Sequence, residues 1–211
     1  MAREADDTPL RDFYGDLRNR AATLLRGALP FNRGDATYNE VCKDYNPGYG
    51  TTCGCLVHWM LWNLGCTDAT LVNRSEPGFH YVVGANISKL YAHTNLRDPI
   101  GPFDPDQGDI LIIADANLQI PEAKKANREY LHTHTFVILD VAKDGQNVTI
   151  GTAEAGNASP NASNGTQEAH IDQRIATIGS GHSRVKISNH LGWNTYISAW
   201  LPLSLISFGA P

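Results

Sequence analysis

The stretch Tyr49-Gly-Thr-Thr-Cys-Gly-Cys-Leu-Val-His-Trp-Met-Leu-Trp-Asn-Leu-Gly65 constrains this chain more than any other. It opens as a glycine-bearing loop and becomes almost wholly apolar. Leu56, Val57, Trp59, Met60, Leu61, Trp62 and Leu64 leave a helix few polar faces, so the rest of the fold has to cover it on most sides. Gly65 is a good C-cap, which sets a helix over about 52–64. Cys53 sits in its first turn. Unpaired backbone N–H groups and the positive end of the helix dipole favour a thiolate there. Cys53 is therefore a candidate nucleophile, whose partners the remaining chain has to supply.

Upstream, Thr8-Pro9 supplies an N-cap and a proline at the first helical position. Phe13, Leu17, Ala21 or Ala22, and Leu25 recur at helical spacing, so a helix is expected over 8–29. Residues 30–49, rich in Asn, Asp, Gly and Tyr, read as a loop that walls the site. Downstream, 79–83 is a short strand candidate, 106–109 a turn and 110–113 a buried strand. Residues 120–130 read as a charged helix or an excursion. Residues 133–141 form a β-branched run, Asp144-Gly145 a hairpin turn, and 147–153 the returning strand. Asn/Ser/Gly-rich residues 157–166 read as a flexible loop, and 185–187 and 196–206 as closing strands. Helices followed by antiparallel strands define an α+β layout. No Pro/Gly/Ser-rich linker divides the 211 residues, so one domain is expected, with 1–30 as an N-terminal helical extension.

With 17 basic and 22 acidic residues the net charge is −5, and no basic cluster occurs, which argues against nucleic acid or anionic membranes as partners. No apolar run is long enough to span a bilayer. The N-terminus, Met-Ala-Arg-Glu-Ala-Asp-Asp, lacks the apolar centre of a signal peptide. The expectation is a chain made in the cytoplasm, or one exported by a leaderless route. Six Asn-x-Ser/Thr sequons, at Asn73, Asn86, Asn147, Asn157, Asn161 and Asn164, then reflect polar loops rather than glycosylation. The four cysteines, Cys42, Cys53, Cys55 and Cys66, crowd into one segment, unlike a disulfide framework.

Two further residues complete a set with Cys53. His134 begins one strand of the hairpin and Glu154 ends the other, so the turn brings them together. An imidazole can take a thiol proton and return it to a leaving amine while a carboxylate orients the ring. The Cys53 backbone N–H would meet the oxyanion with one further donor. Alternatives stay open at each place. Cys55 is a rival nucleophile that points elsewhere from the helix. His132 shares a strand face with His134. Thr152 or Asn157 could replace Glu154. Tyr38, Tyr45 and Tyr49 precede the nucleophile as a second oxyanion donor or groove wall, and Tyr45, Tyr49 and Thr52 are the substrate-binding candidates. A zinc site from Cys42, Cys53, Cys55, His58 and Cys66 lacks paired Cys-x-x-Cys spacing, so no metal or other cofactor is expected. His58 reads as a core histidine, and His80, His93, His170, His182 and His190 as surface residues.

The chain resembles the NlpC-type cell-wall peptidases and their CHAP relatives. Their nucleophile motif resembles Asp-Cys-Ser-Gly-Leu-Val, with a glycine closing the helix twelve residues after the cysteine; Cys53, Leu56, Val57 and Gly65 fall on those positions. Pro105-Asp-Gln-Gly-Asp-Ile110 is similar to the family's Pro-Gly-Asp-Leu turn, His134-Thr-Phe-Val-Ile138 to its His-Val-Gly-Ile-Val strand, and Glu154-Ala-Gly-Asn157 to a third-residue block of many CHAP-like members. Departures are Thr52 before the nucleophile, Gly54-Cys55 after it, and Phe136 in place of glycine. The resemblance implies a papain-like fold, catalysis by Cys53, His134 and Glu154, and hydrolysis of peptidoglycan peptides. It also resembles leaderless amidases injected by type VI secretion, which implies an antibacterial effector with a cognate immunity protein. The same triad would also serve a protein glutamine deamidase or acyltransferase, and a degenerate site would leave a binding module.

Overall fold

The computed structural model describes residues 8–42, 52–69, 71–72, 103–115, 134–156, 167–177, 186–188 and 195–209. Helix α1 (Thr8–Ala28) buries Leu17, Ala21, Ala22 and Leu25 on one stripe, as the spacing predicts. The stretch expected to be loop holds two small elements, β1 (Phe31–Asn32) and α2 (Ala36–Val41). They form because Asp35 Oδ2 accepts the Asn32 N–H at 2.7 Å, which ties the turn before α2. Tyr38 then stacks edge-on against Phe31, with centroids 6.3 Å apart.

Helix α3 (Thr52–Asn63) buries every residue from Thr52 to His58. It ends as its glycine demands. Gly65 has φ +82, Cys66 N–H bonds Leu61 O at 3.0 Å and Gly65 N–H bonds Trp62 O at 3.1 Å, the paired closure of a Schellman motif.

The strands are β2 (Ile110–Asp115), β3 (His134–Asp144), β4 (Asn147–Ala155), β5 (Gln167–Thr177), β6 (Lys186–Ile187) and β7 (Thr195–Leu201). All pair antiparallel in the order β1-β5-β4-β3-β2-β7-β6, and β6 also pairs β5. Six strands thus close into a ring with β1 attached outside it. The β3–β4 loop is Gly145-Gln146, one residue beyond the expected turn, with Gly145 at φ +60. Strand alternation splits the core in two. Leu111, Ile113, Phe136, Ile138, Val148, Ile150, Ala176, Ile187 and Ile197 fill the ring. Ile110, Ile112, Val137, Leu139, Ala153 and Ala155 face outward, under α1 and α3. The result is α+β, with α3 lying on β3 and β4.

Buried Asp109 locks the expected 106–109 turn to the C-terminal segment. Its carboxylate accepts Trp200 Nε1–H and Leu203 N–H, both at 2.9 Å, and Asp106 N–H at 3.0 Å. Burial holds its carboxyl above the ordinary range, and these bonds and nearby Arg18 offset that only in part. The closing stretch is β7 followed by a 3-10 turn, Leu203–Leu205, rather than one strand through Ile206.

β5 has no counterpart among the strands expected from the sequence. Its polarity is inverted: it buries His170 and Arg174 and leaves Ile171 and Ile175 49% and 48% exposed. His170 is therefore a buried residue of the ring, not the surface histidine expected. The expected elements at 79–83 and 120–130, and the 157–166 loop, lie outside the described residues. So do His80, His93, His132, His182 and His190. No helix among the described residues is long and apolar enough to cross a membrane.

Candidate active site

Three elements converge at the start of α3. Cys53 is in its first turn, where N–H groups have no intrahelical acceptor. His134 is the first residue of β3, and Glu154 lies one residue before the end of β4. The hairpin therefore delivers His134 and Glu154 together: His134 Nε2 is 3.0 Å from Glu154 Oε2. The same imidazole hydrogen-bonds the Cys53 side chain. With Nε2 turned to Glu154, Nδ1 is the ring nitrogen left for the sulfur.

Glu154 is fully buried, at 0% exposure, and its oxygens are saturated. Thr152 Oγ1–H donates to Oε1 at 2.6 Å. Arg174, itself 1% exposed, grips the carboxylate with two prongs, Nε on Oε1 at 2.5 Å and Nη2 on Oε2 at 2.6 Å. Arg174 Nη1 also donates to Ser188 O at 3.0 Å, and the guanidinium carbon lies 4.9 Å from the centroid of the Phe136 ring. Phe136 floors the other side of the set too, its ring 5.8 Å from that of His134.

The electrostatics follow from these contacts. Burial alone would drive a proton onto Glu154, but hydrogen bonds and charge from Arg174 and His134 overcome it and hold the carboxyl well below the ordinary range. Burial alone would likewise strip His134 of its proton. Hydrogen bonds to Cys53 and Glu154, with the negative charge of both, reverse this and raise it to about 9. The arrangement sets the imidazole between a sulfur and a carboxylate, both of which favour its protonated form.

Cys55 lies in a different environment. It packs in the core between helices and sheet and hydrogen-bonds Cys42. That bond, burial, and repulsion from Cys42 and Cys53 push its thiol far above the ordinary cysteine range. All four cysteines are buried thiols. The five residues of the conceivable zinc set form no single cluster among the described residues. One group of possible donors does occur there: Glu154, His170 and Asp172 have ligand atoms within 4.8 Å of one another. The Arg174 charge on Glu154 opposes a cation at that point.

Thr52 is buried, and its hydroxyl donates to Glu168 Oε1 at 2.5 Å. Arg33 Nη2 lies 3.2 Å from the other Glu168 oxygen. Tyr45, Tyr49 and Asn157 lie outside the described residues. Gly156, at φ +82, passes close to the head of α3; a Cβ there would sit 3.4 Å from Cys53 N. A glycine at this position keeps the approach to that N–H open.

Arg174 and His170 are the functional candidates that the sequence reading misses. A signal existed. Ala169, Ile171 and Ile175 alternate with His170, Asp172 and Arg174, the period of a strand. Assigning apolar residues inward would still have turned the wrong face to the site. Neither models of known protein families, nor curated proteins, nor solved structures give a match to this chain.

Proposed function

We propose that this chain is a papain-like cysteine amidase or peptidase that cleaves amide bonds of bacterial cell-wall peptides. The observation that carries the reading is the single imidazole shared by Cys53 and Glu154 at a helix N-terminus. In the proposed cycle Cys53 Sγ attacks the amide carbon after its proton passes to His134 Nδ1. The Cys53 backbone N–H faces the developing oxyanion. Collapse expels the amine, which takes its proton from His134, and leaves a thioester on Cys53. Water, deprotonated by His134, then attacks the thioester carbon; the acid is released and the thiol recovers its proton. Glu154 holds the ring throughout without being protonated.

The choice of a cell-wall substrate draws on the ordered blocks around Cys53, Asp109, His134 and Glu154, which resemble the NlpC-type and CHAP peptidases. An antibacterial effector, paired with an immunity protein, is the biological setting this resemblance favours. The test is turnover of purified peptidoglycan by wild type, Cys53→Ala and His134→Ala, with mass analysis of the muropeptides. Loss in both variants is expected, and full activity in Cys53→Ala ends the proposal. Ammonia release from a protein substrate without muropeptide products would transfer the same triad to glutamine deamidation or acyl transfer. Cys53 labelling by iodoacetamide no faster than an ordinary thiol would leave a binding module.

A further inference from the structure

We propose that Arg174 is a positioning residue that keeps Glu154 a hydrogen-bond acceptor and thereby fixes which nitrogen of His134 faces Cys53. The inference rests on reading Cys53, His134 and Glu154 as one thiol–imidazole–carboxylate set.

A carboxyl group out of water takes up a proton unless a cation or several donors hold its charged form. Glu154 has the donors: both prongs of Arg174 and the Thr152 hydroxyl. Among the described residues, the other titratable groups near it are His134 on β3, and His170 and Asp172 on β5. His170 Nε2 lies 4.0 Å from Asp172 Oδ2.

The consequence for chemistry is a matter of hydrogen-bond direction. An ionised Glu154 only accepts, so His134 Nε2 must carry a hydrogen toward it, and the neutral ring keeps Nδ1 free as the base for the thiol. A protonated Glu154 can donate to Nε2 instead. The hydrogen of the neutral ring then moves to Nδ1, toward the sulfur, and the ring can no longer accept the thiol proton. Arg174 prevents that exchange. A forked guanidinium suits the task because it meets both carboxylate oxygens at once, which an ammonium cannot do. Its own place is secured by Ser188 O and the Phe136 face. With Cys53 as thiolate, the buried row reads minus, plus, minus, plus from Cys53 through His134 and Glu154 to Arg174, and its charge sums to zero.

The experiment uses the full chain and needs no natural substrate. Imidazole nitrogen NMR follows His134 against pH, and iodoacetamide alkylation of Cys53 is timed at neutral pH in wild type, Arg174→Met and Arg174→Lys. In folded Arg174→Met, the His134 titration should fall from about 9 toward the ordinary histidine value, and the neutral ring should carry its hydrogen on Nδ1. Alkylation should slow at least about tenfold, short of the roughly 10^4-fold that a wrong tautomer costs a serine-protease triad. Arg174→Lys should recover part of both. An unchanged titration and alkylation rate in folded Arg174→Met overturns the proposal. Should Arg174→Met unfold, the comparison moves to Glu154→Gln with and without Arg174→Met, a neutral pair. Arg174 acts through Glu154, so its removal there should alter alkylation by less than about twofold; a larger effect overturns the proposal. A wild type that releases no muropeptides yet shows the Arg174-dependent titration sinks the cell-wall reading and upholds this one.

Discussion

His134 makes the stability of this protein depend on alkaline pH in a way that can be calculated. In the unfolded chain its imidazole titrates at an ordinary 6.5; in the folded site it holds its proton to about 9. Between those limits the folded state binds a proton that the unfolded state has lost, so stability falls as pH rises. The contribution is fully present below 6.5 and gone above about 9. The gap corresponds to roughly 3 kcal/mol, at about 1.4 kcal/mol for each pH unit. Urea unfolding of wild type and His134→Gln, run in steps across that window, reads this directly. Wild type should lose about 3 kcal/mol more than the variant between the two ends, and the two curves should run parallel below it. Parallel curves throughout would refute the shared-imidazole geometry, because no proton would then be held by Cys53 and Glu154 together.

The same proton separates chemistry from nucleophilicity. Amide turnover should decline above about 9, where His134 can no longer supply the leaving amine, whereas Cys53 alkylation, which needs only a thiolate, should not; both are read from pH–rate profiles. Gly156→Ala places a side chain at φ +82 and 3.4 Å from Cys53 N. It should cost about 1–2 kcal/mol in thermal unfolding and slow turnover by more than the folded fraction explains. Asp109→Ala strips the acceptor from Trp200 Nε1, Leu203 N and Asp106 N. Chemical denaturation should show a loss of about 3 kcal/mol, the penalty of several buried donors left unpaired.

The parts of this fold that were legible in the sequence are those where burial and polarity agree. α3 is apolar all round and ends at a glycine, so its position follows from Leu56, Met60, Leu61 and Gly65 alone. β3 and β4 are β-branched and flank a turn glycine, and their pairing brings His134 to Glu154 whichever residue heads the loop. Cys55 separates from Cys53 by helix geometry, two positions further round and into the core. β1 and α2 were hidden because a side-chain oxygen of Asp35 and a single aromatic pair organise them, not a periodic pattern.

β5 was hidden for a different reason, which lies in the surroundings of His134. Phe136 stands next but one to His134 on β3. Its ring lies inside the strand ring, beneath both His134 and the Arg174 guanidinium. A glycine there would leave the Arg174 guanidinium without the aromatic face it rests on, a contact worth about 2 kcal/mol out of water. Once Phe136 and Glu154 make a place for Arg174 inside, β5 has to turn its polar face inward, and Ile171 and Ile175 are left outside as the residues of the opposite face. The feature that most defeats a reading by hydrophobic pattern, the inverted strand, thus follows from keeping a carboxylate ionised out of water beside His134.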